Sequence, residues 1–365
     1  MIAVPSSVRA AAGRLRDFPA YVYDLAALST HMRAVRSALP GVELYYAAKA
    51  NPDPALLTTL APHVDGFEVS SGGELAHVRS AVPGARLAFG GPGKTDDELA
   101  AAAGAHRVHV ESPGELRRLL AMGVEADVLL RVNLDIPVAG ASLAMGGGAT
   151  PFGMDPAGID ECLTLLSGHP GVRLRGVHAH LASGLEAGPL VDLAGAVLGY
   201  ARGLGVREVN VGGGMAVAYT EPSRRFDWEA YGKGLTGLIA DGERVRIEPG
   251  RALTVYCGWY LTRVIDVKRV HGELFAVVAG GTHHLRTPVT KGHDQPFAVL
   301  DGAGGPGEPV TVVGQLCTPK DVLARRAGTS VRVGDVLAFG MAGAYAWNIS
   351  HHEFLLHPKP KFFYV

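Results

Sequence analysis

Cysteine is scarce, with only Cys162, Cys257 and Cys317 in 365 residues. An odd count at such separations implies no disulfide framework. It excludes the small stapled folds of secreted proteins and fits a reducing, cytoplasmic setting. Neither sign of charge dominates: 34 Lys and Arg face 35 Asp and Glu, for a net charge of −1. Without a basic or acidic cluster there is no electrostatic case for nucleic acid or a membrane surface as partner. No apolar run reaches membrane-spanning length. The stretch before Pro19 carries Arg9, Arg14 and Arg16 without an apolar signal core, so it reads as an ordinary helical lead-in rather than a targeting segment. What the chain does have is 47% hydrophobic residues, 49 glycines and 23 prolines. That composition gives a sizeable core with many tight turns, enough for two domains or one large barrel with an appendage.

Hydrophobic patterning organises most of the chain. Tyr21 to Asp24 reads as a short strand, and Leu25 to Leu39 has helical spacing closed by Pro40-Gly41. Strands are then expected at 44–48, 66–69, 86–89, 107–110, 127–132, 174–180, 208–211 and 244–247. Helices are expected between them at 54–60, 73–82, 96–103, 113–122, 158–166, 188–202 and 228–239. Eight β-then-α units are the number that closes a (β/α)8 TIM barrel. The rival, an open doubly wound sheet, would be favoured by a G-x-G-x-x-G turn after the first strand, and none is present. Beyond Arg251 the pattern changes to successive strands, at 253–268, 274–278, 297–300, 310–313, 330–333 and 336–339, without long helices. The expected fold is therefore an α/β barrel over 25–255 with a predominantly β domain from 256–365, joined by 1–24.

In such a barrel, chemistry gathers at the C-terminal ends of the strands. The residues just past each candidate strand are Lys49, Ser70-Ser71 with Glu74, Gly90-Gly91, Glu111, Arg131 with Asn133, His180 with Ser183, Gly212-Gly213-Gly214, and Glu248-Pro-Gly-Arg251. Each has an ordinary reading. Lysines at strand ends commonly cap or pair with carboxylates, triple glycines make plain turns, and Glu248 could simply pair with Arg246 or Arg251. Together they form one rim with an amine, a ring donor, an anion cradle and a carboxylate. Lys49, at the mouth of a buried strand, is expected to be poorly hydrated, which favours a neutral nucleophilic amine. His178 and His180 alternate on one strand face, where a packed histidine is the commoner outcome. Gly146-Gly147-Gly148 lies in a long loop from Leu134 to Asp155 that reads as a mobile flap. Cys317 sits among turn formers, open enough to serve as a proton donor. His283-His284 and His351-His352 lack companion ligands at metal-binding spacing, so no metal site is expected.

These residues resemble the fold-type III pyridoxal-phosphate decarboxylases, the branch holding ornithine, arginine and diaminopimelate decarboxylases. The likeness spans Tyr21 to the C-terminus. It rests on Tyr-Tyr-Ala-Ala-Lys49-Ala-Asn, Phe67-Glu-Val-Ser-Ser-Gly-Gly-Glu74, His180-Leu-Ala-Ser183, Val211-Gly-Gly-Gly, Glu248-Pro-Gly-Arg251, Cys317 and Gly343-Ala-Tyr345. The resemblance implies pyridoxal 5'-phosphate carried covalently by Lys49, with His180 stacked on its ring. It further implies that Ser183, Gly212, Gly213, Gly214, Arg251 and Tyr345 hold the phosphate, with Gly250 also among the cofactor-binding residues. Glu248 would meet the pyridine nitrogen, and Glu68, Glu74 and Arg131 would lie around the pocket. It also implies a homodimer with shared active sites, in which Cys317 enters the partner's site and returns a proton to the carbon that loses CO2.

One residue separates reactions within that resemblance. The related alanine racemases place an arginine against the pyridine nitrogen, whereas by this likeness Glu248 would keep the ring protonated and able to drain charge from a breaking carbon–carboxyl bond. The resemblance implies an amino-acid substrate, and the departures concern its far end. Diamine-forming members carry an acid immediately after the cysteine; here Thr318 stands there, followed by Pro319 and Lys320. A distal carboxylate or amide suits this better than a free amine. The runs Cys317 to Asp321 and Ser350 to Pro358 resemble the siderophore-biosynthesis decarboxylases, which act on citryl conjugates of 2,3-diaminopropionate. The alternative is a free diamino acid (diaminopimelate, ornithine or lysine), for which Arg286 could hold the distal zwitterion. A racemase or a non-catalytic carrier of the cofactor are further readings.

Overall fold

The computed structural model describes residues 2–137, 140–286, 294–300 and 305–365. The chain divides into two compact units. One holds residues 29–217 and 226–252, the other residues 1–28, 218–225 and 253–365.

The first unit is a closed parallel barrel. Its strands are β1 (Val42–Ala47), β2 (Gly66–Val69), β3 (Leu87–Phe89), β4 (Arg107–Val110), β5 (Ala126–Arg131), β6 (Val172–His178), β7 (Glu208–Asn210) and β8 (Arg244–Ile247). They follow in sequence order around the barrel, and β8 returns to β1. Helices Pro54–Leu60, Gly72–Ala81, Asp96–Ala101, Pro113–Ala121, Pro156–Leu166, Ala187–Gly203 and Trp228–Leu238 connect them. Side chains set the helix starts: Asp53, Ser71, Ser112, Asp155 and Asp227 each accept a first-turn amide. Thr95 and Glu98 complete a reciprocal capping box. Most observed boundaries fall within two residues of those expected from patterning.

Alternation along the strands sends every second residue inward. Branched aliphatics dominate the interior of most barrels of this type. Here the lowest layer is ionic. Arg107 on β4 holds Glu208 on β7 through two hydrogen bonds of 2.8 and 2.6 Å. Arg246 on β8 lies 2.9 Å from Glu208 and also pairs with Glu43 on β1. Because β4 and β7 are not neighbours in the sheet, the Arg107–Glu208 pair crosses the interior. Arg107, Glu208 and Arg246 are all buried.

The second unit is built on an eight-stranded sheet. Its long strand, Gly258–Val270, pairs with Ala20–Tyr23, Glu273–Val278 and Val336–Phe339. Val4, Val8, Ala11 and Ala12 of the N-terminal segment pack on Val22, Trp259, Leu261, Ala298 and Ala338. Two expectations are corrected here. The strand foreseen at 253–268 begins only at Gly258, because residues 251–257 form a short helix and a 3-10 turn. Residues 330–333 are not a strand; the strand in that region is Val322–Gly328, whose run of Arg325 and Arg326 hid it from hydrophobic patterning. The stretch 218–225, expected within the barrel, belongs to this unit.

Candidate active site

Lys49 lies in a 3-10 turn, Ala48–Ala50, just beyond the end of β1. Its Nζ donates to Glu68 Oε2 at 2.6 Å and to Ser70 Oγ at 3.3 Å, and Ser70 Oγ donates to Glu68 Oε1 at 2.7 Å. The expected poorly hydrated amine is not found: the Lys49 side chain is 46% exposed. What holds the amine is a buried acid beside it, with the open side facing solvent. Gly250 fits closely against this turn; a Cβ there would meet Ala50 Cβ at 2.8 Å. Glu74 accepts the Ser70 amide at 2.7 Å, and burial raises its carboxyl above the usual range.

His180 lies two residues past the end of β6. Its Nδ1 accepts the Gly213 amide at 3.2 Å, so Nε2 carries the hydrogen and donates to Ser183 Oγ at 3.2 Å. Burial, then the charges of Lys49 and Arg131, push its pKa down to about 4, which keeps the ring neutral. The glycine run beside it leaves no room for side chains. A Cβ on Gly213 would stand 2.6 Å from the Glu248 carbonyl oxygen, and one on Gly214 would stand 2.3 Å from that of Ala182. Gly212 and Gly214 also take φ of 70° and 106°, which only glycine adopts readily.

Glu248, 8% exposed, lies one residue beyond the end of β8. Its Oε1 accepts from Asn210 Nδ2 at 2.6 Å, and its Oε2 lies 3.3 Å from His178 Nε2. His178 stacks on His109 with ring centroids 4.1 Å apart and planes 13° from parallel. Both rings are buried, and desolvation drives both pKa values well below normal. Among the described residues, His109, His178 and Glu248 are the grouping with three possible metal ligands within 4.8 Å. The two stacked rings, however, lie in near-parallel planes 4.1 Å apart at their centres, so one ion cannot sit in the plane of both.

Glu111 ties the rim together, a role its sequence position did not reveal. Oε1 accepts from Arg131 Nη1 at 2.6 Å and the Gly91 amide at 3.1 Å; Oε2 accepts the Gly153 amide at 3.1 Å. Arg131 also lies over the Phe152 ring, 5.0 Å from its centre. The loop expected as a mobile flap is pinned over its described residues. Leu143–Ala144 pairs with Ala182–Ser183, and the Asn133 side chain holds Gly147, Gly148 and Thr150. Residues 138–139 of that loop lie outside the described residues.

The remaining expected residues are on the other unit. Cys317 is exposed, on a turn organised by Asp321. Asp321 is 2% exposed; its Oδ2 accepts the Leu316 amide at 2.8 Å, and its Oδ1 accepts the Thr282 amide and hydroxyl at 2.7 and 2.8 Å. Thr318 is partly buried and Lys320 exposed on this turn. Arg286, also exposed, has its backbone amide bound to Ser350 Oγ at 3.0 Å. Tyr345 adopts a φ of 49°, a left-handed conformation uncommon outside glycine. The paired histidines do not assemble a metal-binding group among the described residues. Instead His283 packs on His284 and His357, and His352 stacks on Trp347.

A parallel eight-stranded barrel with a lysine, a glycine cradle and a buried acid at the C-terminal ends of its strands defines a class of cofactor-dependent barrel enzymes. The family profile described as "Pyridoxal-dependent decarboxylase, pyridoxal binding domain" matches residues 25–255, and the chain belongs to that family. It is 38% identical to 2-[(L-alanin-3-ylcarbamoyl)methyl]-2-hydroxybutanedioate decarboxylase of Staphylococcus aureus, over 94% of this chain and 93% of that protein. It is 35% identical to diaminopimelate decarboxylase of Actinosynnema pretiosum, over 90% of this chain and 79% of that one. The solved structure of diaminopimelate decarboxylase from Helicobacter pylori with L-lysine shares the fold: the TM-score is 0.87 at 23% identity, covering 98% of this chain and 93% of that one. The protein is thus a pyridoxal-phosphate-dependent carboxy-lyase, acting on an amino-acid-like substrate.

The residues present fit that cofactor. Of the buried glutamates in the barrel, Glu68 pairs with Lys49, Glu111 with Arg131, Glu115 with Lys94, and Glu208 with Arg107 and Arg246. Glu248 meets an amide and two neutral imidazoles instead. A buried acid without a cation is costly. A protonated ring nitrogen is the partner that its chemistry calls for.

Proposed function

We propose that this decarboxylase acts on an amino acid whose far end is anionic, of the kind named for the Staphylococcus aureus relative: an amide joining citrate to the side-chain amine of 2,3-diaminopropionate. The observation that carries this reading is the Cys317 turn. Thr318 follows the cysteine, and the nearest acid, Asp321, is turned inward and engaged with Leu316 and Thr282. The turn offers solvent the Lys320 ammonium and no carboxylate of its own. A distal ammonium gains nothing there, whereas a distal carboxylate meets a cation. Arg286 is the second basic group suited to the citrate end.

In this reading Lys49 carries the cofactor, and Glu68 and Ser70 hold its amine at the rim. His180 lies against the cofactor ring, with Ser183, Gly212, Gly213, Gly214, Gly250, Arg251 and Tyr345 around the phosphate. Bound pyridoxal phosphate supplies an electron sink for the bond that releases CO2. Glu248 fixes the proton on its ring nitrogen. Cys317 delivers a proton to the carbon that has lost CO2, and it does so in the site of a second copy, so that the working form is a homodimer. Mixing Lys49→Ala and Cys317→Ala proteins should then restore about one quarter of wild-type activity, since half of randomly assorted dimers carry one intact site. No recovery on mixing would refute the shared site.

The decisive assay is CO2 release from the citryl–diaminopropionate amide, diaminopimelate, ornithine and lysine. Preference for the amide by at least tenfold in kcat/KM is expected. Preference for a free diamino acid would support the second reading, which the 35% identity to a diaminopimelate decarboxylase favours. The purified protein should be yellow, be bleached by borohydride, and be colourless as Lys49→Ala.

A further inference from the structure

His109 and His178 are buried inside the barrel, and three of their four ring nitrogens are fully buried with no hydrogen-bond partner among the described residues. Each such nitrogen costs about 1–3 kcal/mol relative to a satisfied or absent polar group. Two aliphatic side chains would fill the space without that penalty. The fourth nitrogen, His178 Nε2, lies 3.3 Å from Glu248 Oε2. The stack with His109 fixes the plane of the His178 ring, and Asn210 takes the other carboxylate oxygen.

The groups nearest Glu248 are uncharged: Asn210 donates to it, and the Nε2 atoms of His178 and His109 lie 3.3 and 3.8 Å from its oxygens. A lysine or arginine in any of these places would orient the acid equally well but would also compensate its charge. A neutral ring nitrogen facing the carboxylate leaves that charge for another cation. We propose that His178, braced by His109, is a positioning residue whose neutral Nε2, 3.3 Å from Glu248 Oε2, orients Glu248 toward the cofactor's ring nitrogen. This rests on the assignment of Glu248 to that nitrogen.

The test uses holoenzyme reconstituted with cofactor labelled with nitrogen-15 in the ring, read by the nitrogen chemical shift alongside steady-state kinetics. His178→Phe keeps the stack and removes the donor. It should move the ring-nitrogen signal toward the unprotonated value and lower kcat about 10- to 100-fold, the usual scale for an outer-layer partner, with KM changed less than about threefold. His178→Gln, which returns a neutral N–H, should recover the wild-type signal and most of kcat. If His178→Phe does not fold, His178→Met supplies the same loss of donor. A folded donor-less variant with wild-type signal and kcat overturns the inference. Glu248→Gln is the control. If it shifts the signal while His178→Phe does not, the positioning role alone falls; if Glu248→Gln leaves the signal unchanged, the Glu248 assignment falls and takes this role with it.

Discussion

At the foot of the barrel, Arg107 and Arg246 bracket Glu208, and Glu43 takes another edge of Arg246. One layer higher, Glu248 is equally shielded from water but meets Asn210 and His178. The lower layer closes its charges on itself, so it can only hold strands together. The upper layer leaves an acid whose complement must come from outside the chain. Burial alone does not separate a structural acid from a functional one; the charge state of its partners does.

Exchanging each acid for its amide breaks this comparison most sharply. Glu248→Gln should lower kcat roughly 100- to 1,000-fold, the scale of losing one electrostatic stabiliser, while the cofactor-free protein melts at or above the wild-type temperature. Glu208→Gln removes the carboxylate shared by two buried arginines and should destabilise the cofactor-free protein by about 3–5 kcal/mol, with kcat per folded molecule nearly unchanged. Both are read by calorimetry and turnover. A Glu248→Gln protein that melts well below wild type would erase the distinction.

Acid should act on the upper layer next. His109, His178 and His180 are held neutral in the folded protein, with pKa values below the ordinary 6.5 and that of His180 near 4. The unfolded chain therefore takes up protons first as pH falls. Stability is fully present above about 6.5 and is lost progressively toward about 4. The melting temperature of the cofactor-free protein should drop between pH 7.5 and 5, and His178→Gln should flatten that slope where Glu208→Gln does not. A pH-independent melting temperature would contradict the neutral stack. The smallest effect is expected above both layers. Asn133→Ala removes the side chain that pins the 147–150 turn, at a cost of about 1 kcal/mol. It should raise KM about threefold and leave kcat unchanged; a collapse of kcat would mean that the turn does more than close the rim.

Much of this was legible in the chain. Period-two apolar strands alternating with capped helices gave the barrel, because those patterns are local and each cap lies beside the helix it starts. The rim residues followed, since the C-terminal end of a strand is a position in sequence as well as in space. Three things were not legible. The Lys49 amine is held by Glu68, nineteen residues away, rather than by desolvation. The 134–155 loop is pinned by Ala182–Ser183, which no local signal marks. Strand Val322–Gly328 carries two exposed arginines that mask its β character.

The sequence by itself determined the fold, the family and which side chains stand at the barrel mouth, because periodicity and strand ends are properties of neighbours along the chain. Only the tertiary structure decided that His109 and His178 stack beside Glu248, and that, among the described residues, Glu248 alone of the buried barrel glutamates has neutral partners. Those pairings join β4, β6, β7 and β8 across a closed barrel, and contacts between strands that are not adjacent exist only once the sheet has closed.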